Sequence, residues 1–151
     1  MRITAKVDYA VRAATELAAA PGGRVKGDVV AERQGIPPKF LENILADLRR
    51  AGLVASQRGA DGGYRLAVAA DQVSVADIIR AVEGPLADVH GTPPEKVVYQ
   101  GAAADLPQVW VATRAALRSV LENVSVADVV SGTLPPVAAG LLAEPDAWSR
   151  R

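Results

Sequence analysis

The chain has 151 residues, half of them hydrophobic, with 17 Lys/Arg balanced by 17 Asp/Glu, so it can bury one sizeable core and is too apolar for disorder. It has no cysteine and a single histidine. That excludes a disulfide framework and any site built on thiolates, and together with the lack of a phosphate-cradling glycine loop ahead of a helix it argues against an enzyme. The zero net charge is unevenly spread: residues 1–66 carry 11 Lys/Arg against 7 Asp/Glu, net +4, and residues 67–151 carry 6 against 10, net −4, so a nucleic-acid partner would meet the first half.

In chain order, Val7, Ala10, Val11, Ala14, Leu17 and Ala18 trace one face of a helix from Thr4, its cap, to about Ala20. The amino terminus lacks the apolar core of a secretory leader, and no run approaches the roughly 18 apolar residues of a membrane span, so a soluble cytoplasmic protein with no membrane partner is expected. Lys6, Asp8 and Arg12 lie off the stripe and read as surface, Lys6 being also a candidate for a phosphate. Pro21-Gly22-Gly23 closes the helix, and Arg24 and Lys26 follow in a connection where they are positioned to touch backbone phosphate.

A short helix over 27–33 stops at Gly35, a residue suited to a left-handed cap, and Ile36 plugs the turn. Pro37 and Pro38 suit a helix start, where a fixed φ and a missing N–H cost least. In the helix they open, Phe40, Leu41, Ile44, Leu45 and Leu48 form an apolar stripe, while Lys39, Glu42, Asn43, Ala46, Arg49 and Arg50 face away. Taken alone that polar face is either solvated surface or a base-reading edge. Asn reads adenine bidentately, Glu accepts from cytosine N4, and Lys or Arg reaches guanine or the backbone. Gly52 then ends the helix, Leu53 to Ala55 run extended, and RGADGG makes a hairpin tip in which Gly59, Gly62 and Gly63 permit positive φ. Tyr64 to Leu66 return as a strand with Arg65 on the opposite side. Arg58 and Arg65 give a narrow basic projection suited to a minor groove or flanking phosphates.

Helix, turn, helix and hairpin together predict a mainly α fold with a small β-hairpin wing, a winged helix-turn-helix over 1–84. Its DNA-binding candidates are Lys39, Glu42, Asn43, Arg50, Arg58, Gly59 and Arg65, with Lys6, Arg24 and Lys26 at the margin. Ser74 caps a further helix with Asp77 three residues on, and Val75, Ile78, Ile79 and Val82 form its buried face. The Pro- and Gly-rich stretch after Gly84 predicts an irregular connector, assigned to 85–104, with a short strand at 96–100. A helix from Asp105 to Val124 is apolar over more than one stripe and needs two partners. This predicts a long dimerisation helix with Leu106, Val109, Trp110, Leu117, Val120, Leu121 and Val124 at a two-fold interface, and Arg114, Arg118 and Glu122 on a solvated strip. The helix and its terminator occupy 105–131. The tail over 132–151 is Pro-rich without strong periodicity, and its Leu141, Leu142 and Trp148 are candidates to dock on a neighbour.

ERQGIPPKFLENILADLRRAGLV followed by RGADGGYRL resembles the Rrf2 family of bacterial transcription regulators, whose usual pattern runs QGIS-P, YLEQIL, LR-AGLV and RG-GGY-L. The resemblance extends from the amino terminus to about residue 131 and is strongest from Ala31 to Gly84. It implies a dimeric winged-helix DNA-binding protein. Many members sense redox state or nitric oxide through an iron–sulfur cluster, and others control cysteine metabolism. The connector is where cluster-binding members keep three cysteines, and Asp8 resembles a carboxylate that some contribute. Here the connector has none, and Asp8 with the lone His90 does not make a cluster site, so no metal and no cofactor are expected. The leading expectation is therefore a homodimeric, sequence-specific regulator, a repressor, reading a two-fold related operator in double-stranded DNA without an iron–sulfur cluster. An effector, small molecule or protein, would act near the connector, where Val98, Tyr99 and Trp110 are the pocket candidates. The alternative is a protein-interaction winged helix acting through a partner protein.

Overall fold

The computed structural model describes residues 2–149; Met1 and the last two residues of the tail lie outside the described residues. Thr4 caps α1 (Ala5–Ala19), its hydroxyl accepting from the Val7 N–H at 3.2 Å. The predicted face of α1 is the centre of the core. Val7, Ala10, Ala13, Ala14 and Leu17 are buried, and the alanines let the helices α3 (Pro38–Arg50), α4 (Val75–Glu83) and α6 (Val126–Ser131) approach closely.

Helix α2 (Gly27–Gln34) ends at Gly35 with φ 60° and ψ 36°, and the Ile36 N–H returns to the Ala31 carbonyl at 2.9 Å, so the left-handed cap and the buried Ile36 turn the chain as its sequence predicts. Helix α3 (Pro38–Arg50) buries Leu41, Ile44, Leu45 and Leu48 almost completely. Phe40, expected in the same stripe, is 40% exposed: it sits on the flank of α3, where its ring meets Tyr9 of α1 edge-on at 5.7 Å.

Strands β1 (Val54–Gln57) and β2 (Gly63–Leu66) pair antiparallel with Ala55 opposite Arg65 and Ser56 opposite Tyr64. Val25 adds a third row, exchanging two hydrogen bonds with Tyr64 at 2.8 and 2.9 Å. This bridge draws Arg24 and Lys26 to the base of the wing. At the tip, a Cβ on Gly62 would lie 2.4 Å from the Gln57 carbonyl oxygen, so glycine is required there by the closeness of the arms, whereas Gly63 combines φ 140° with a similar approach to Val25.

Helix α4 (Val75–Glu83) opens with the predicted Ser74–Asp77 capping box. The segments Val73–Ile79 and Val124–Val130 read VSVADII and VSVADVV, and the second opens α6 (Val126–Ser131) with the same box, Ser125 and Asp128. The two copies meet about a local pseudo-two-fold: the Val75 N–H donates to the Val124 carbonyl and the Val126 N–H to the Val73 carbonyl, both at 2.9 Å. Each helix start thereby supplies an acceptor to a free N–H of the other. The repeat is only seven residues long and its copies lie 51 positions apart, so in the sequence the second copy is visible only as the terminator of the preceding helix.

Between α4 and the long helix α5 (Leu106–Leu121) the connector contains 3-10 turns at Pro94–Lys96 and Gly101–Ala103. The expected strand at 96–100 does not form, because that segment finds no partner edge among the described residues. The tail holds α7 (Pro136–Leu142), opened by Pro136 and anchored on α5, with Ala138 buried.

Candidate nucleic-acid interface

With one side of α3 sealed in the core, Lys39, Glu42, Asn43, Arg49 and Arg50 are left exposed. The start of α3 has no side-chain cap and no acidic residue in its first turn, so no side chain there offsets the positive end of its dipole; Pro38 has no N–H to offer, and the Phe40 and Leu41 N–H groups are held by the Pro37 carbonyl at 3.0 Å. Lys39 and Glu42, one turn apart, pair at 2.8 Å, and this bond raises the Lys39 pKa. Arg50 turns back on Asp47 at 2.8 Å, whereas Arg49 donates from Nη1 to Ser56 Oγ of β1 at 3.0 Å.

A concavity of about 400 Å³ lies between the wing and the start of α2. Lys26, Arg49 and Arg58 line it with the backbone of Gly59 and Gly62, and no carboxylate does. Beside it a smaller hollow of about 280 Å³ is lined by Asp28, Glu42 and Tyr64. The cations Lys26, Arg49 and Arg58 and the carboxylate of Glu42 therefore stand in adjoining hollows, the two residue types that phosphate contact and base-edge readout use.

Of the predicted DNA-binding residues, Lys26, Arg58 and Gly59 meet in the concavity, with Arg24 reaching the Asp61 carbonyl of the wing at 3.4 Å. Glu42, Lys39 and Asn43 lie on the open face of α3, and Arg65 is exposed on β2, its Nη1 donating to the Leu66 carbonyl at 3.0 Å. Two placements differ. Arg50 is exposed at the end of α3 but outside the concavity, which Arg49 lines; Arg49 is seven residues, two helical turns, after Glu42, a spacing that puts the two on one face. Lys6 has two internal partners, the Asp47 carboxylate at 2.8 Å and the Val82 carbonyl at 2.7 Å, and so is turned from solution phosphate toward the body of the domain.

On α5 no residue is buried; Val109, Trp110 and Val111 are exposed, and Leu106 and Val120 are half-covered. Leu117 and Leu121 line an apolar groove of about 410 Å³ with Val7, Val11, Val75 and Ile79. Val124, expected at the dimer interface, is only 7% exposed in its own protomer because the reciprocal α4–α6 caps enclose it. The expected solvated strip is a set of ties: Glu122 holds Arg118 at 2.9 Å and Arg80 of α4, and Arg114 holds Glu95 of the connector at 2.8 Å. Both Arg80 and Arg118 keep the Glu122 pKa below its usual range.

The three residues expected at an effector pocket lie apart from the apolar groove of α5. Val98 is 80% exposed, Tyr99 and Trp110 lie outside the apolar groove, and the connector contributes Pro85 and Leu86 to that groove instead. The donors for an iron–sulfur cluster are also a poor fit. The connector has no thiolate, His90 is exposed in a turn with φ 53°, Asp8 pairs with Arg12 at 3.0 Å, and no group of three His, Asp or Glu gathers among the described residues.

A family model described as Rrf2, iron-dependent transcriptional regulator, matches residues 3–132. Among relatives, a candidate HTH-type transcriptional regulator of Mycobacterium tuberculosis H37Rv, Rv1287, is 48% identical over 142 residues, covering 93% of this chain and 88% of that protein. The HTH-type transcriptional regulator CymR of Bacillus subtilis is 33% identical over 134 residues, 88% of this chain and 92% of that one. Among solved structures, the B. subtilis global cysteine regulator CymR superposes with a TM-score of 0.74 at 32% identity, covering 88% of this chain and 98% of that one. The IscR of T. potens superposes with a TM-score of 0.71 at 34% identity over 87% and 88%.

Proposed function

The chain belongs to the Rrf2 family of transcriptional regulators, DNA-binding proteins and not enzymes, and on that premise we propose that it binds a two-fold related operator as a homodimer and represses transcription in the cytoplasm without an iron–sulfur cluster. The observation that carries this reading is the carboxylate-free concavity of Lys26, Arg49 and Arg58 set beside the open face of α3. Glu42 and Asn43 read bases, Lys39 and Arg49 hold bases or phosphates, and Arg58 and Arg65 secure the wing. The homodimer is supported by α5, where Val109, Trp110 and Val111 stay exposed in the protomer, and by the adjoining groove of Val7, Val11, Ile79 and Leu117, which offers a partner helix a seat.

Selection of bound duplexes from genomic DNA, followed by titration of one recovered site across salt concentrations, tests the reading. A two-fold related consensus and a steep fall of affinity with salt are expected. Equal binding to any duplex at moderate salt overturns it. The zero net charge favours a second reading, a winged helix that docks a protein through the same face; there a co-purifying protein competes with DNA for the wild type.

A further inference from the structure

We infer that Lys6 is a positioning residue for DNA recognition: it fixes the rotation of α3 about its own axis through Asp47 and makes no phosphate contact. The inference rests on the reading of α3 as the base-reading helix. On α1, residues 6, 9, 12 and 16 follow helical spacing along the edge next to the buried face, and each makes a lateral contact with the helix-turn-helix. Glu16 bonds Gln34 at 2.6 Å, the Arg12 Nε bonds the Gln34 side chain at 3.0 Å, Tyr9 meets the edge of Phe40 at 5.7 Å, and Lys6 pairs with Asp47 at 2.8 Å. The first two hold the end of α2. The last two hold α3, two turns apart, since Phe40 and Asp47 are seven residues apart on its α1-facing flank.

An apolar stripe sets how deep a helix lies, but tolerates small rotations. Two lateral contacts on one flank remove that freedom. Lys6 is the polar one, and it is held at a third point, the Val82 carbonyl in the last turn of α4, so the ammonium is pinned between helices and does not swing with α3. The Asp47 carboxylate is mostly covered, with Lys6 on Oδ2 and Arg50 on Oδ1. Rotation of α3 decides whether Glu42 and Arg49 or Asn43 and Arg50 lead into the groove, so a fixed angle is a condition of base readout.

Lys6→Met keeps the aliphatic stem and removes the ammonium; Asp47→Asn removes its partner's charge. On the selected operator, each is expected to weaken binding about tenfold while leaving affinity for unrelated duplex and the slope of log affinity against log salt unchanged. The double variant is expected to bind no worse than either single one, and Lys6→Arg to recover most of the loss. In the free protein, backbone amide shifts are expected to move along the whole of α3 in both variants and not in α5. Three results overturn the inference: a salt slope lowered by about one in Lys6→Met with Asp47→Asn at wild-type affinity, which makes Lys6 a phosphate contact; wild-type affinity in both; or shifts confined to the turn around Asp47. A wild-type protein that lacks sequence preference overturns the reading of α3 instead, and the amide shifts still decide the role of Lys6.

Discussion

Helices α3 and α5 are built from similar material and are used in opposite ways. Each has a proline in its first turn and apolar residues at helical spacing, over 13 and 16 residues respectively. In α3 Leu41, Ile44, Leu45 and Leu48 are no more than 1% exposed, and its polar face carries the charge; in α5 nothing is buried and Val109 is 53% exposed. A helix sealed on one side by its own domain and tied along its flank, as α3 is by Tyr9 and Lys6, presents its polar side chains at a fixed angle. A helix that keeps an exposed apolar stretch, as α5 does at Val109 to Val111, offers the surface that the proposed dimer needs.

The largest expected effect comes from breaking the sealed side. Leu45→Ala removes a fully buried side chain and is expected to cost about 2–5 kcal/mol, lowering the thermal midpoint and abolishing operator binding with the fold. Thermal unfolding by circular dichroism checks it. The same truncation at Val109 leaves the protomer's own core untouched, so there the informative change is one of charge. Val109→Asp is expected to retain the helical spectrum while shifting dimer to monomer by about 2 kcal/mol or more, read by sedimentation; a variant that still sediments as a dimer would remove α5 from the interface.

Smaller effects sharpen the contrast within the reading half. Arg58→Ala is expected to weaken operator binding about tenfold and to reduce the salt slope by about one, with an unchanged thermal midpoint, because Arg58 lines the concavity and supports no core. Glu42→Ala is expected to relax preference at one base position more than it lowers affinity, as a variant operator panel would show.

The smallest effect is acid-side stability. The Lys6 ammonium, aided by Arg50 against the opposing effect of burial, holds the Asp47 carboxyl below its usual 3.8. A depressed folded value stabilises the fold at pH above the unfolded value, and the contribution disappears as pH falls through the folded one. The stability gap between wild type and Asp47→Asn is therefore expected to be constant above about pH 5 and to close below 3.8, followed by urea unfolding across pH.

Much of the fold was legible because local rules suffice for it. Thr4, Gly35, Pro38 and Ser74 act within a turn of their own positions, and the α3 stripe is a periodicity that burial can satisfy in one way. The candidate site was legible as residue types, Lys, Glu, Asn and Arg on one face with an arginine-bearing wing. Its membership was less so: Arg49 rather than Arg50 enters the concavity because β1 offers Ser56 while Asp47 captures Arg50. Val124 left the expected interface because a second VSVAD segment, distant in the chain, caps it. The placement of Val98, 80% exposed, was not legible because a connector without regular structure positions its side chains by tertiary contacts such as Glu95 with Arg114.

The sequence by itself thus determined the winged helix-turn-helix, the polarity of α3 and the absence of thiolate ligands, since these follow from residue identity and short-range spacing. Only the tertiary structure decided that Lys6 faces Asp47, that the two VSVAD segments cap one another, and that Val109 to Val111 of α5 stay exposed in the protomer. Those are contacts between segments tens of residues apart, and their geometry depends on how whole helices pack.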